Sequence, residues 1–129
     1  MNILDENIRR DQREMLRAWR VPVRQVGRDF VSKGVEDENM VPRLLRVRHA
    51  TFFTRDADFF KRELRHSRYC LVYLTIGEEG SAVYVRRILR HPAFNTQAKR
   101  MGAVVRASPT GLTIWRLHAE AEEHLSWPR

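Results

Sequence analysis

Acidic residues gather in three short windows of an otherwise basic chain. Asp5 and Glu6 follow one short apolar segment, Asp56 and Asp58 follow another, and Glu36-Asp37-Glu38 lies between them. Carboxylates held close together repel one another and raise one another's pKa values unless a cation lies between them. Hard divalent cations such as Mg²⁺ and Mn²⁺ prefer oxygen ligands, and a bound metal can activate water against a phosphodiester. The windows therefore indicate metal-dependent phosphodiester chemistry.

Each acidic window, taken alone, also has an ordinary structural interpretation. Asp5 and Glu6 would complement the N-terminal end of the helix that follows them. Asp58 would cap a helix that begins at Phe59. Glu36-Asp37-Glu38 would form a solvated turn. The residues by themselves leave both interpretations open.

Arginine dominates the basic side of the charge balance. The chain has 24 Lys and Arg against 16 Asp and Glu, a net charge of +8, and 21 of the basic residues are arginine. The planar guanidinium suits bidentate phosphate contact, although a GC-rich genome would also favour arginine codons. The excess positive charge favours a polyanionic partner in either case. The arginines expected to face outward from two helices and to contact nucleic acid are Arg9, Arg13, Arg17, Arg20, Arg86, Arg87 and Arg90.

Short apolar strands alternate with amphipathic helices along the chain. Strands are predicted at 2–4, 21–26, 50–54, 69–75, 103–107 and 112–117. Helices are predicted at about 8–20, at 59–65 and at 83–90, and a further helix, the second in the chain, ends at about residue 48. This order predicts an α/β fold with a mostly parallel central sheet, helices on both faces and a C-terminal antiparallel hairpin. Ligands of such sheets bind beyond the carboxyl ends of the strands, where Asp5 and Asp56 fall.

Individual residues refine this prediction. Pro22 suggests that the second strand lies near an edge of the sheet. The nearly continuous apolar run at 69–75 is typical of a central strand. Pro42 fits the first turn of the second helix, which makes Asn39 a better N-cap than Asp37.

The chain is expected to form a single domain over 1–129, with a polar and frayed tail from about residue 118. No apolar run approaches the roughly 18–20 residues that span a bilayer, and the first residues lack the pattern of a signal peptide. Cys70, the single cysteine, lies in an apolar strand and is interpreted as a buried thiol. These features predict a cytoplasmic protein without a membrane partner.

Two motifs carry a resemblance to a known family. Ile3-Leu4-Asp5-Glu6-Asn7 and Phe53-Thr54-Arg55-Asp56-Ala57-Asp58-Phe59, with the acidic window at 36–38 between them, resemble small bacterial and archaeal PIN-like proteins, relatives of toxin ribonucleases. The resemblance spans essentially the whole chain. It implies a PIN-like fold and a metal-dependent endoribonuclease, the toxin of a toxin–antitoxin pair. The implied cofactor is Mg²⁺ or Mn²⁺, and the implied partners are RNA, a small antitoxin protein and a second copy of the chain.

The resemblance also implies roles for individual residues. The catalytic and metal-binding carboxylates would be Asp5, Asp37, Asp56 and Asp58. Glu36 or Glu38 remains an alternative to Asp37, because Pro42 would shift the start of the second helix and direct one of these carboxylates to the metal instead. The supporting residues would be Glu6, Asn7, Glu38, Thr54 and Arg55.

Three other functions compete with this interpretation. A non-catalytic nucleic-acid-binding module would explain the arginines but would give the clustered carboxylates no role. A phosphoreceiver-like domain also places acids after its first and third strands, but it needs a lysine after the fifth strand, and Lys99 precedes that strand. A zinc hydrolase is disfavoured because the five histidines lack the spacing of metal ligands.

Overall fold

The structure is a computed structural model that describes residues 1–29 and 37–129, with side chains left out at 37–39. Its strands are β1 (Asn2–Leu4), β2 (Arg24–Gln25), β3 (Ala50–Thr54), β4 (Tyr69–Leu74), β5 (Val104–Ser108), β6 (Gly111–Trp115) and β7 (Glu123–Leu125). Its α-helices are α1 (Arg10–Ala18), α2 (Asp37–Leu44), α3 (Ser81–Arg90) and α4 (Gln97–Arg100). Single 3-10 turns lie at Ala57–Phe59, Arg62–Leu64 and Glu78–Gly80.

The strands form one sheet in the order β2-β1-β3-β4-β5-β6-β7. The pairs from β2 to β5 are parallel, and β5–β6 and β6–β7 are antiparallel. The predicted α/β class with a mostly parallel sheet is therefore confirmed. The expectation from Pro22 holds, because β2 lies at an edge, and β4 occupies the central position that its apolar sequence predicted.

Side chains alternate between the two faces of the sheet, and a separate apolar core covers each face. On one face Leu4 and Phe53 pack with Leu16 of α1 and Ile88 of α3. On the other face Ile3 and Phe52 pack in the core that contains Leu44 of α2. This double cover keeps the ends of β1 and β3 in fixed positions relative to each other.

Two helix predictions differ from the structure. The helix expected at 59–65 is replaced by two 3-10 turns, because Lys61 has an extended backbone that separates them. The second helix begins at Asp37 and ends at Leu44, so Asn39 lies inside it and does not cap it. Pro42 is tolerated within α2, although its missing N–H removes one helical hydrogen bond.

The tail after residue 118, which was expected to be frayed, contains a strand. Glu123–Leu125 pairs with β6 as the edge strand β7, and the indole N–H of Trp127 donates to the Ser108 carbonyl at 2.7 Å. Gly111 permits this approach: its φ is +150°, and a Cβ there would lie 2.4 Å from the Leu125 carbonyl oxygen. Within the described ranges, none of the helices is long and apolar enough to cross a bilayer.

Candidate active site at the carboxyl ends of β1 and β3

The ends of β1 and β3 lie side by side at a crevice of the sheet. After β1 the chain turns to α1 on one face, whereas after β3 it enters turns whose Phe59 packs on the opposite face. Such a switch in direction leaves an opening beyond the strand ends, and ligands of open α/β sheets bind there. Asp5 and Asp56 are the acidic residues that the two strands deliver to this opening.

Asp5 is the most enclosed carboxylate of the site. Its side chain is largely buried, and its backbone N–H donates to Phe53 at 2.9 Å, continuing the strand pairing. Its Oδ1 accepts a hydrogen bond from the Glu6 N–H at 2.8 Å, and its Oδ2 accepts one from the Thr54 hydroxyl at 2.6 Å. The carboxylate is therefore held in one orientation by two neighbouring strand ends.

Burial raises the pKa of Asp5 above its ordinary value, because the charged form loses hydration. The hydrogen bonds from Thr54 and Glu6 oppose the rise, and the negative charges of Glu6 and Asp56 add to it. The site thus orients a carboxylate without neutralising its charge. A cation placed between Asp5 and Asp56 would relieve this repulsion.

Thr54 connects the two strand ends. Its hydroxyl is fully buried, donates to Asp5 and accepts the Asp56 N–H at 3.0 Å. Asp56 in turn accepts the Asp58 N–H at 2.9 Å through Oδ1 and caps the 3-10 turn that begins at Ala57. The capping residue of this segment is therefore Asp56, and the suggestion that Asp58 caps a helix at Phe59 was wrong.

Asp5 and Asp56 open into a cleft of about 580 Å³. The residues that line it are Asp5, Asn7, Arg55, Asp56, Ala57, Tyr73 and Glu78. Arg55 donates to the Ile76 carbonyl through Nε and Nη2, and its Nη1 lies 3.4 Å from Glu78 Oε1. One wall of the cleft is therefore basic at Arg55 and acidic at Glu78, and both side chains are partly exposed.

Sequence reasoning missed several residues of this site. Tyr73 belongs to β4, and Glu78 belongs to the turn after it. Glu78 could have been predicted by the rule that identified Asp5 and Asp56, which looks for acidic residues after the carboxyl end of a parallel strand. Gln25 of β2 is buried, and its amide donates to the carbonyls of Asp5 at 3.2 Å and of Ile8 at 2.7 Å. No motif signals a single glutamine in an edge strand.

The structure brings together part of the predicted set. Asp5, Asn7, Arg55 and Asp56 line the cleft, Thr54 lies beneath them, and Glu6 is half-buried beside Asp5. Asp58 is exposed and is not among the lining residues. Asp37 and Glu38 are the first residues of α2, but the structure does not describe their side chains. Glu36 lies outside the described residues.

Both sets of arginines predicted to face outward differ from the structure. The first stripe comprises the four on the first helix, and the second stripe comprises Arg86, Arg87 and Arg90. Arg9, Arg17 and Arg20 are exposed, but Arg13 is 9% exposed and its Nε finds no hydrogen-bond partner within 1–29 and 37–129. Arg13 lies beside the buried Gln12 and turns inward rather than outward. The other predicted stripe also differs from a solvated face: Arg86 and Arg87 are half-buried, whereas Arg90 is exposed.

The cleft offers a divalent cation a small number of carboxylate ligands. In the part of the chain that the structure describes, no group of three or more His, Cys, Asp or Glu side chains is arranged to hold a metal ion. Mg²⁺ requires less than this, since it commonly binds one or two carboxylates and completes its shell with water and substrate phosphates. Asp5 and Asp56 fit that pattern, because a carboxylate oxygen has two lone pairs, so one that accepts a hydrogen bond can also bind a metal.

Comparisons of the chain with protein-family models, with curated proteins and with solved structures find no match in any of the three.

Proposed function

We propose that this protein is a metal-dependent endoribonuclease with a PIN-like fold, in which Asp5 and Asp56 bind the Mg²⁺ or Mn²⁺. The observation that carries the proposal is the pair of carboxylates at the ends of adjacent parallel strands, which the buried hydroxyl group of Thr54 connects. This hydroxyl donates to the Asp5 carboxylate and accepts the backbone N–H of Asp56. Their position at the switch between β1 and β3 is where such a sheet binds its ligand. The motifs around both residues agree in suggesting a nuclease.

A divalent cation at this site would activate a water molecule and stabilise the charge that develops on the phosphodiester. The chain's own residues would orient the reaction. Thr54 holds Asp5 Oδ2, Gln25 fixes the backbone that carries Asp5, and Arg55 and Asn7 line the cleft where substrate oxygens would lie. The Arg55 guanidinium is itself fixed by the Ile76 carbonyl, so it can meet a phosphate without a large loss of side-chain entropy.

The role of a toxin in a toxin–antitoxin pair is the finer part of the proposal. It rests on the resemblance of the motifs at Asp5 and Asp56, which also suggests a small antitoxin protein, a homodimer and a cytoplasmic location. A short gene directly upstream that encodes a small DNA-binding protein would support this role. Co-purification of that protein with this chain would test it, and failure to associate would count against it.

Cleavage of single-stranded RNA tests the proposed reaction. A labelled oligoribonucleotide is incubated with the purified protein and Mg²⁺ or Mn²⁺, and cleavage is expected to stop when the metal is chelated. Asp56→Asn should abolish cleavage, whereas Arg43→Gln, a change of an exposed arginine on α2, should cleave like the wild type. Equal cleavage by Asp56→Asn and the wild type would reject the mechanism.

A non-catalytic nucleic-acid-binding module is the second candidate. The observation in its favour is that Asp58 does not join Asp5 and Asp56 in the cleft, so the described residues supply fewer carboxylates than the family pattern implies. Such a module would bind RNA without metal and leave it intact. The cleavage assay therefore separates the two candidates.

A phosphoreceiver-like domain has one observation in its favour, the strand order β2-β1-β3-β4-β5, which is also that of receiver domains. Against it, β5 is followed by Pro109 and Thr110 rather than by a lysine. Lys99 lies in α4, before β5, and donates to the Pro92 carbonyl. Incubation with a small-molecule phosphodonor should therefore leave Asp56 unmodified.

A further inference from the structure

A second polar cavity lies beside the C-terminal half of α3. Its volume is about 270 Å³, and its lining residues are Arg86, Arg87, Arg90, His91, Trp127 and Pro128. Arg86, the first of these three arginines, lies about one and a half turns after Ser81, the first residue of α3, or about 8 Å along the helix axis. The cavity is therefore separated from the cleft, which borders the opposite end of α3 at Glu78.

Stacking on aromatic rings holds two of the guanidinium groups in place. The Arg86 guanidinium carbon lies 3.7 Å from the centre of the Trp19 ring, and that of Arg87 lies 4.1 Å from the centre of the Trp127 ring. Stacking uses the flat face of a guanidinium and leaves its in-plane N–H donors available. The rings thus orient the two arginines, and the N–H groups that bind oxyanions remain available.

No acidic residue balances this charge in the described part of the chain. Within 1–29 and 37–129, Arg86, Arg87 and Arg90 form no ion pair, and their guanidinium groups make no hydrogen bond. Arg55, by contrast, has both the Glu78 carboxylate and the Ile76 carbonyl as partners. Three neighbouring cations without an acid favour the entry of an anion.

The other wall of the cavity is held by hydrogen bonds. The Trp127 indole N–H donates to the Ser108 carbonyl. The rings of Tyr84 and Trp127 pack in an edge-to-face arrangement, with their centres 5.6 Å apart. His91 Nδ1 accepts the Ala93 N–H at 3.0 Å, so Nε2 carries the proton that it donates to the Ser126 carbonyl at 3.0 Å. Because both nitrogens of His91 are engaged, the arginines provide the donors that face a ligand.

We propose that this cavity, which we call the arginine–tryptophan pocket, binds a phosphate group. Guanidinium forks match the oxygen geometry of phosphate and bind it in a bidentate manner. The volume of about 270 Å³ lies near the lower limit of ligand pockets, which suits a phosphate or one phosphorylated unit of a larger molecule. That the phosphate belongs to the backbone of RNA rests on the proposed function; the binding of phosphate itself does not.

Titration of tryptophan fluorescence with inorganic phosphate tests the pocket. The probe is phosphate alone, and the protein carries Asp56→Asn so that the same sample can later bind uncleaved RNA. Phosphate should change the emission, because Trp127 lines the pocket, and Arg87→Gln or Arg90→Gln should weaken its binding by about tenfold, as expected for charge-assisted hydrogen bonds. Arg43→Gln removes the same charge from α2 and should weaken binding less than twofold.

Arg90→Gln keeps the test decisive if Arg87→Gln impairs folding, because Arg90 is exposed and takes no part in the stacking on aromatic rings. Equal weakening by Arg90→Gln and Arg43→Gln, or no binding of phosphate at all, would overturn the proposal.

A short single-stranded RNA identifies the source of the phosphate. Displacement of phosphate by the RNA, with the same sensitivity to Arg90→Gln, would assign the pocket to the RNA backbone. Phosphate binding without such competition would reject RNA as the source and leave a site for free phosphate. Absence of cleavage by the wild type together with intact phosphate binding would reject the nuclease proposal and support the pocket, so the two failures are distinguishable.

Discussion

The cleft at Asp5 and the arginine–tryptophan pocket orient their charged groups in opposite ways. In the cleft, hydrogen bonds from Thr54 and from backbone N–H groups hold the carboxylates. In the pocket, aromatic rings hold the guanidinium groups of Arg86 and Arg87, and within the described residues these groups donate no hydrogen bonds. Hydrogen bonds fix a carboxylate while each oxygen keeps one lone pair, which suits a metal ligand. Stacking fixes an arginine while its donors stay available, which suits the binding of an anion.

The two regions should therefore respond differently to loss of a charge. Asp5→Asn is expected to lower kcat for RNA cleavage by about a hundredfold or more, a loss in the range of a positioned catalytic group. Arg87→Gln is expected to act mainly through KM, raising it by about tenfold, because its contact with phosphate is the same in the ground state and the transition state. Steady-state kinetics with Mn²⁺ would measure both. If Asp5→Asn raised KM and left kcat unchanged, the cleft and the pocket would not differ in the expected way.

Removal of the hydroxyl of Thr54 tests how the cleft is held together. Thr54→Ala loses the hydrogen bond to the Asp5 carboxylate and leaves the Asp56 N–H without that acceptor. The free energy of unfolding should fall by about 1.5–3 kcal/mol, the contribution of a hydrogen bond to a charged group. Thr54→Ser retains the hydroxyl and is the matched control, although it also removes one buried methyl group. Urea unfolding of both variants would show whether the hydroxyl carries the larger part of the loss.

Ionisation of Asp5 gives a prediction for pH. Its folded-state pKa is raised above the ordinary value of 3.8, so the folded protein holds this proton more tightly than the unfolded chain does. The stability that Asp5 contributes is complete below pH 3.8 and is lost as the pH rises through the raised pKa. In the presence of chelator, Asp5→Asn should therefore melt at a higher temperature than the wild type at pH 7. The difference should shrink as the pH is lowered towards 4, and a difference independent of pH would contradict the raised pKa.

Substitution of an exposed arginine in the first stripe should weaken RNA binding less than substitution of an arginine in the arginine–tryptophan pocket. Arg17 is half exposed and lies 3.9 Å from Asp29, so Arg17→Gln removes a charge that is only loosely paired. If Arg17 contacts one RNA phosphate, the slope of log affinity against log salt should decrease by about 0.7. Binding titrations at three salt concentrations, on the Asp56→Asn background, would measure it. An unchanged slope would show that Arg17 only keeps α1 soluble.

The sequence predicted the two strand ends of the cleft because they obey local rules. Asp5 and Asp56 follow short apolar strands, and parallel strands place their carboxyl ends at one edge of the sheet. The same rules could not predict the hydroxyl group of Thr54 or the amide group of Gln25 as partners of Asp5, because those contacts join residues 49 and 20 positions apart. Such pairings depend on the register of β1 with β3 and β2, which the periodicity of a strand does not contain.

The failures of prediction have equally specific causes. Arg13 was assigned to an exposed stripe because it follows Arg9 by one helical turn, yet α1 begins only at Arg10 and buries Gln12 and Arg13. The arginine–tryptophan pocket was not predicted, because the tail was interpreted as frayed, whereas β7 pairs with β6 and Trp127, two residues further along, contacts Arg87 of α3. A charged stripe on a helix does not reveal what the tertiary structure packs against it.

Binding of Mn²⁺ to the protein without RNA tests the central claim most directly. Electron paramagnetic resonance of a Mn²⁺ titration at neutral pH measures the free ion, and the wild type is expected to take up Mn²⁺. Asp5→Asn and Asp56→Asn should each weaken uptake by at least about tenfold, whereas Arg43→Gln should bind like the wild type. Equal uptake by the wild type and both aspartate variants, or no uptake by any of them, would contradict the assignment of Asp5 and Asp56 as metal ligands.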